Sequence, residues 1–206
     1  MSPATETAWK TEEIRAAGST LRVRKGGTGE PIVVLPHDIG TLDRLAFYDA
    51  LASRFTVYVP SHPGWDGSER PNWMRSARDI AVTYQSAIAE LRLANPLLIG
   101  LGFGGWIAAE MATMSPRAFK RLVLVGAMGV KPVRGEILDQ AIVSYIDYVR
   151  AGFEDQAVFD RIFGADPPVE TLEQWDLNRE MSFRIAWKPY MYSPTLPYLQ
   201  IGRAHV

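Results

Sequence analysis

Two short segments of the chain carry side chains whose types could do acid–base chemistry. His37 and Asp38 are adjacent directly after an apolar run, and His62 precedes Asp66 and Ser68 in a glycine-containing turn. An imidazole beside a carboxylate could serve as a general acid–base pair. The competing interpretation is that His37 hydrogen-bonds the backbone of its own loop, because neighbours in sequence often point apart. His62, Asp66 and Ser68 are more typical of a stabilised turn than of a reactive group.

A third segment, residues 97–110, reads LLIGLGFGGWIAAE. Its apolar start predicts a strand, its end predicts a helix, and the glycines between them predict a tight turn. A turn of this kind can present a nucleophilic serine in the order G-x-S-x-G. Gly100 and Gly104 match the outer glycines, whereas Gly102 stands where the hydroxyl would be. A glycine offers no nucleophile, so acyl transfer by this turn is chemically unsupported.

The composition argues against several kinds of site and partner. Cysteine is absent, which excludes a disulfide, a thiolate zinc site and a cysteine nucleophile. The histidines lack H-x-H or H-x-x-x-H spacing, and we predict no metal and no cofactor. A formal net charge of −1 gives no sign of a nucleic-acid or membrane partner. Residues 1–15 are polar and no apolar run could span a bilayer, so we expect a cytoplasmic protein.

The elements that must position these segments alternate between strand and helix. A hairpin is expected over residues 13–17 and 21–25. Further strands are predicted at 31–36, 55–60, 96–101 and 121–125, and helices at 42–53, from 76 onward, and at 105–114. Such alternation indicates a mostly parallel sheet with helices on both faces.

After Val130 the pattern becomes helical, over residues 136–149, 156–163 and 170–187. These segments are rich in aromatic residues, which we interpret mainly as core of a helical insertion lying over the sheet. A few should line an apolar pocket, which points to a small apolar molecule as the ligand. The candidate ligand contacts are Trp106, Trp175 and Trp187.

Three motifs, in their order and spacing along the chain, resemble those of α/β-hydrolase-fold proteins of the AB hydrolase-1 type. The first is PHDIG at 36–40, the second is the turn SHPGWDGSERP at 61–71, and the last is the elbow at residues 97–110. The turn at 61–71 resembles the family's D-x-P-G-x-G-x-S turn. The segment at 36–40 stands where the family has a His-Gly oxyanion loop. The resemblance extends from about residue 13 to about residue 198. It implies an α/β fold with a mostly parallel sheet, flanking helices and a helical cap.

The resemblance also implies roles for individual residues. Gly102 is the vacated nucleophile position, and the backbone N–H of Phe103 would supply half of an oxyanion hole. Asp38 or Ile39 would supply the other half, although a carboxylate at Asp38 would oppose a developing oxyanion. His37 remains a candidate for acid–base chemistry. In the family, the ligand crevice lies at the carboxyl ends of the strands.

The resemblance divides the chain into a core at 10–130, a cap at 131–192 and a last segment at 193–206. The family's acid and histidine follow later strands, so we expect a fold that is incomplete at the C-terminus. Residues 201–206, IGRAHV, resemble a translated sequencing adapter, and His205 is therefore not taken as catalytic. We predict that the chain as given is inactive and poorly stable.

Three functions stay open at this point. The first is a hydrolase-like enzyme that acts, when full-length, on a small apolar molecule without the usual serine. The second is a non-catalytic binder of small molecules that keeps the hydrolase fold. The third is a conventional ester hydrolase in which Gly102 is an error or an engineered change. The sequence does not indicate the oligomeric state.

Overall fold

A computed structural model describes residues 8–42, 45–186 and 191–198. Six strands form one sheet in the order β1-β2-β4-β3-β5-β6. The strands β1 and β2 form an antiparallel hairpin, β2 pairs antiparallel with β4, and the remaining pairs are parallel. Their bounds are Lys10–Ala16, Ser19–Gly26, Glu30–Leu35, Phe55–Pro60, Leu97–Leu101 and Arg121–Val125. The predicted α/β fold with a mostly parallel sheet is confirmed.

Alternate residues of the central strand β3 enter two separate cores, as the two-residue period of a strand requires. Val33 and Leu35 pack with helices α2 (Ala77–Glu90) and α3 (Phe103–Met114) on one face. Ile32 and Val34 pack on the other face with α1 (Ala46–Ala52). Burial on both faces explains why β3 is an uninterrupted apolar run.

Three more helices form a layer of their own: α4 (Tyr145–Ala151), α5 (Gln156–Phe163) and α6 (Val169–Ala186). Their aromatic side chains share a cluster with Ile39, which belongs to the loop after β3. We call α4–α6 the helical layer. Helix α4 is shorter than the predicted 136–149, because the Ser144 side chain caps it by accepting the N–H of Asp147. Before that cap, the Asp139 side chain accepts the N–H of Ala141 and holds a turn instead of a helix.

None of the helices formed by the described residues combines the length and the apolar character that crossing a bilayer would require. The predicted cap boundaries at 131 and 192 stay a prediction. The tail at 201–206, including His205, lies outside the described residues.

Candidate functional site

The elbow at Gly102 keeps its sharp geometry although it has no side chain. Gly102 joins β5 to α3 with φ 51° and ψ −112°, a backbone conformation that residues other than glycine rarely adopt. Its N–H donates to the carbonyl of Val125, and its own carbonyl accepts from Gly105 and Met128. The turn is therefore fixed by the last residue of β6 and by the loop after β6.

The imidazole ring of His37 occupies the space that a side chain at position 102 would need. A Cβ built on Gly102 overlaps the ring, with Cδ2 and Nε2 as its nearest atoms. The loop that carries His37 is tied to the elbow, since Gly104 N–H donates to the carbonyl of Pro36 at 3.0 Å. The space beside Gly102 is therefore filled by a histidine from another loop.

Asp38 is fully buried and holds His37 in place. Its Oδ1 forms an ion pair with His37 Nδ1, and the exposed fractions of the two side chains are 1% and 38%. Its Oδ2 accepts a hydrogen bond of 3.0 Å from the hydroxyl of Tyr148 in α4. Its backbone carbonyl accepts from Trp65 Nε1 at 2.8 Å. The carboxylate therefore faces the histidine and the helical layer.

Mutual attraction outweighs burial in setting the charges of this pair. Burial disfavours both charged forms, but the Coulombic attraction and the ion-pair contact raise the pKa of His37 and lower the pKa of Asp38. The hydrogen bond from Tyr148 also lowers the pKa of Asp38. Burial raises the pKa of the Tyr148 hydroxyl, as does the nearby carboxylate, so this phenol remains a donor.

His62 holds the loop that carries His37 and Asp38. Its ring is fully buried, with Nε2 2.9 Å from the carbonyl of Pro36 and Nδ1 2.6 Å from the hydroxyl of Tyr84. A carbonyl only accepts, so Nε2 bears the proton and Nδ1 accepts from Tyr84. Burial lowers the pKa of His62 to about 4. This neutral histidine has no nitrogen left for chemistry.

A cavity of about 360 Å³ opens beside His37, beneath the helical layer. Its walls are mainly apolar and come from the loop after β3 and from α4 with its flanking residues. The lining residues are His37, Ile39, Leu138, Tyr148, Val149, Ala151, Gly152 and Phe153. A second cavity of about 520 Å³ on the other side of Ile39 is more polar and contains no part of the His37–Asp38 pair.

Of the remaining predicted site residues that the structure describes, Phe103 and Trp106 lie in the core and Trp175 lies at the more polar cavity. Phe103 is fully buried against His62 and Trp65, and neither it nor Gly102 lines the apolar cavity. Trp106 is buried in the core beside Phe103. Trp175 lines the more polar cavity, together with Ile39. Trp187 lies outside the described residues.

The sequence interpretation missed the part played by Tyr145 and Tyr148. It noted both tyrosines only among the aromatic residues of the helical segments. In the structure they stack on each other at 5.4 Å, and Tyr148 reaches the carboxylate of Asp38. Their three-residue spacing places both on one face of α4, which was the available signal. Nothing in the sequence indicated which loop that face would meet.

Known proteins resemble both the sequence and the fold. A family model described as the Alpha/beta hydrolase family matches residues 32–202. A 1-acylglycerol-3-phosphate O-acyltransferase of Arabidopsis thaliana is 37% identical over 108 residues, which are 49% of this chain and 26% of that protein. A 2-hydroxymuconate semialdehyde hydrolase of Pseudomonas sp. (strain CF600) is 31% identical over 123 residues, 57% of this chain and 44% of that protein. The chain thus spans less than half the length of these two relatives.

Solved structures share the fold at low sequence identity. A serine hydrolase involved in carbazole degradation superposes with a TM-score of 0.63 at 14% identity, covering 90% of this chain and 73% of that one. A bacterial membrane phospholipase A superposes with a TM-score of 0.66 at 18% identity, covering 89% and 64%. At these identities the likeness concerns the fold alone. On the strength of the family match over most of its length, the chain belongs to the alpha/beta hydrolase family.

Proposed function

We propose that this chain belongs to a hydrolase-like enzyme that acts on a small apolar molecule without a serine nucleophile. The observation that carries the proposal is the cavity of about 360 Å³, whose mainly apolar wall includes His37. The cavity lies beside the loop that follows the carboxyl end of β3, where ligands of α/β sheets bind. Its volume suits a small molecule.

The relatives support a hydrolase-like activity, and the elbow argues against the usual route to it. The Pseudomonas relative is named as a hydrolase of 2-hydroxymuconate semialdehyde, which is a small molecule. An acyl-enzyme needs a hydroxyl at the position of Gly102, and losing such a serine costs about a millionfold in turnover. Gly102 and Phe103 of the elbow are also absent from the lining of the apolar cavity.

A second candidate function is supported by the same ring. Because His37 fills the nucleophile position, the protein could bind a small apolar molecule without transforming it. The third candidate, an ester hydrolase with a mistaken Gly102, requires the His37 ring to move before a serine side chain could fit.

The test uses the product of the intact gene with p-nitrophenyl acetate and indole as small apolar probes. We expect both probes to raise the melting temperature, and any turnover of p-nitrophenyl acetate to proceed without an acyl-enzyme detectable by mass spectrometry. Gly152→Trp should abolish the stabilisation and any turnover, because Gly152 lines the cavity at an ordinary φ and its new Cβ would meet only the Val149 carbonyl oxygen, at 3.3 Å. Val133→Trp is the control, since Val133 is fully exposed.

The outcomes separate the three functions. Binding that Gly152→Trp abolishes, with no turnover, would show a binder. An acyl-enzyme that forms only in Gly102→Ser would restore the conventional hydrolase as the ancestral activity. Binding that survives Gly152→Trp would place the ligand outside this cavity and refute the proposal.

A further inference from the structure

The two nitrogens of the His37 ring stand in different surroundings. Nδ1 is buried and paired with the carboxylate of Asp38. The Cδ2–Nε2 edge lies over the elbow, and the ring forms part of the wall of the apolar cavity. The side chain is 38% exposed although Nδ1 is buried. Nε2 is therefore the nitrogen that can exchange a proton with a molecule in the cavity.

Asp38 and Tyr148 are arranged as a support for such an exchange. A carboxylate that accepts from Nδ1–H fixes the tautomer in which Nε2 carries the lone pair, and it stabilises the imidazolium that forms. The carboxylate is itself held by the Tyr148 hydroxyl at 3.0 Å. This tyrosine comes from the helical layer, so the support spans the sheet loop and the layer that covers it.

The surroundings of the pair favour proton transfer over acyl transfer. An acyl substrate needs donors aimed at its developing oxyanion, and the Phe103 N–H of the elbow is not at the cavity wall. A proton abstraction needs a base beside the C–H group, and apolar walls favour binding of an apolar molecule there. Leu138, Val149 and Phe153 are apolar residues of this cavity wall.

We propose that His37 is a general base that removes a proton from a weakly acidic C–H group of a small apolar molecule. The inference rests on the proposed function, since it uses the same cavity. Asp38 is a positioning residue that acts through His37, and Tyr148 is a positioning residue that acts through Asp38. The elbow glycine is then the feature that gives the imidazole its room.

The probe reaction is the ring opening of 5-nitro-1,2-benzisoxazole, a small apolar compound. Nε2 takes the proton from the ring carbon, the C–H electrons form the third bond of a nitrile, and the N–O bond breaks. The product is a coloured cyano-nitrophenolate, and His37 returns its proton to water. This reaction needs neither a nucleophile nor an oxyanion hole, so it reports on the base alone.

The decisive comparison is the intact protein against His37→Gln. We expect kcat/KM to fall about 100-fold in this variant, the lower range for loss of a general base. Binding of the probe, followed by thermal shift, should persist. Asp49→Asn is a matched control for the Asp38→Asn variant, because Asp49 lies in α1 and its carboxylate accepts from Trp9 Nε1 at 2.8 Å, away from the pair. It should leave the rate unchanged.

The pH profile tests the positioning role of Asp38. The base form of His37 is the deprotonated one, and Asp38 raises the pKa of His37 above 6.5, so the rate should rise with pH through a midpoint above 6.5. Among the residues that the structure describes, the titratable groups facing the pair are Tyr145 and Tyr148 from α4 and His62 from the loop after β4. Asp38→Asn should move the midpoint to lower pH, and Tyr148→Phe should lower kcat/KM by less than His37→Gln does.

Gly102→Ala gives a second test that leaves the histidine in the chain. Its Cβ overlaps the His37 ring, so the ring must move and the rate should fall at least tenfold. A full rate in His37→Gln, or a midpoint that Asp38→Asn does not move, would overturn the inference. Loss of probe binding in every protein, including the parent, would instead refute the proposed function. An acylated or arylated His37 in the mass spectrum would show a nucleophile rather than a base and would overturn the inference.

Discussion

At the scale of single residues, the glycine of the elbow and the histidine that fills its space form one unit. Gly102 has φ 51°, and Gly126 has φ 53° with no atom within 4 Å of the Cβ it would carry. The two positions share the same backbone restriction, but only Gly102 faces a ring. They therefore separate backbone strain from the overlap with His37.

We predict that Gly102→Ala lowers the free energy of unfolding by about 1–3 kcal/mol more than Gly126→Ala does. The excess reflects displacement of the His37 ring, so it should disappear in a His37→Ala background. Urea unfolding of Gly102→Ala and Gly126→Ala, each with His37 and with His37→Ala, measures this difference in both backgrounds. Equal costs at the two glycines would show that the ring does not occupy the elbow.

The pKa values of His37 and His62, the two histidines at this site, should shift in opposite directions. Burial lowers the pKa of His62 to about 4, whereas Asp38 raises the pKa of His37 above 6.5. For His62 the unfolded chain binds more protons, so its contribution to stability is present above pH 6.5. That contribution, about 3 kcal/mol, should be lost progressively as the pH falls toward 4.

The pair of His37 and Asp38 behaves differently. The contribution of His37 is present below pH 6.5 and is lost as the pH rises through its raised pKa. The contribution of Asp38 is present above pH 3.8 and is lost as the pH falls through its lowered pKa. The ¹⁵N shifts of the two imidazoles between pH 8 and 4 measure both titrations. A midpoint for His62 near 6.5 would contradict the buried, doubly bonded ring.

At the scale of elements, the helical layer is joined to the sheet through a few buried polar contacts. Asn178 of α6 is fully buried, and its amide N–H groups donate to the carbonyl of Ile39 at 3.0 Å and to Asp66 Oδ1 at 3.1 Å. Asp66 in turn accepts the N–H of Thr41 at 2.6 Å. These hydrogen bonds hold the loop after β3 from the side of α6. His62 holds the same loop from the core, through the carbonyl of Pro36.

Asn178→Asp should therefore destabilise the protein by about 3 kcal/mol. The substitution removes the donor and places a second carboxylate against Asp66, in a buried position. Exposed Asn72→Asp is the matched control and should cost no more than about 0.5 kcal/mol. Chemical unfolding followed by tryptophan fluorescence measures both. A cost for Asn178→Asp equal to that of the control would mean that α6 does not depend on this contact.

The strands could be predicted because each central strand is a short apolar run, which suits a sheet covered by helices on both faces. The bounds predicted for β4 and β6 agree with the structure, since both are short apolar runs between turn residues. The start of α2 was also predictable, because Ser76 accepts the N–H of Asp79 as an N-cap. The start of α4 was missed, because the apolar spacing of residues 136–143 resembles a helix although Asp139 and Ser144 interrupt it.

At the scale of the whole molecule, β6 lies at one edge of the sheet that the described residues form. Val123, Leu124 and Val125 of this strand are 48%, 41% and 51% exposed. An apolar strand with an open edge is a site for pairing between chains. The sequence-based expectation of poor stability stays a prediction, and this edge is its physical basis.

We predict that the chain as given associates at micromolar concentrations and that Val123→Lys with Val125→Lys restores the monomer. Charged side chains on an edge strand disfavour pairing with another copy. Size-exclusion chromatography with light scattering measures the association. The control is Val130→Lys with Val133→Lys, which adds the same charge at two exposed residues outside the six strands. A monomeric parent chain would refute the prediction.

The sequence alone determined the class of fold, the family and the loss of the nucleophile. These depend on local patterns: apolar runs, glycine spacing and one residue type at one position. The tertiary structure alone decided that His37 fills the space at Gly102, that Asp38 faces His37, and that the Tyr148 hydroxyl donates to Asp38. The atoms concerned come from residues far apart in the chain or from neighbours whose side-chain directions depend on the loop. A sequence pattern records spacing along the chain, whereas those contacts depend on how the sheet and the helical layer pack against each other.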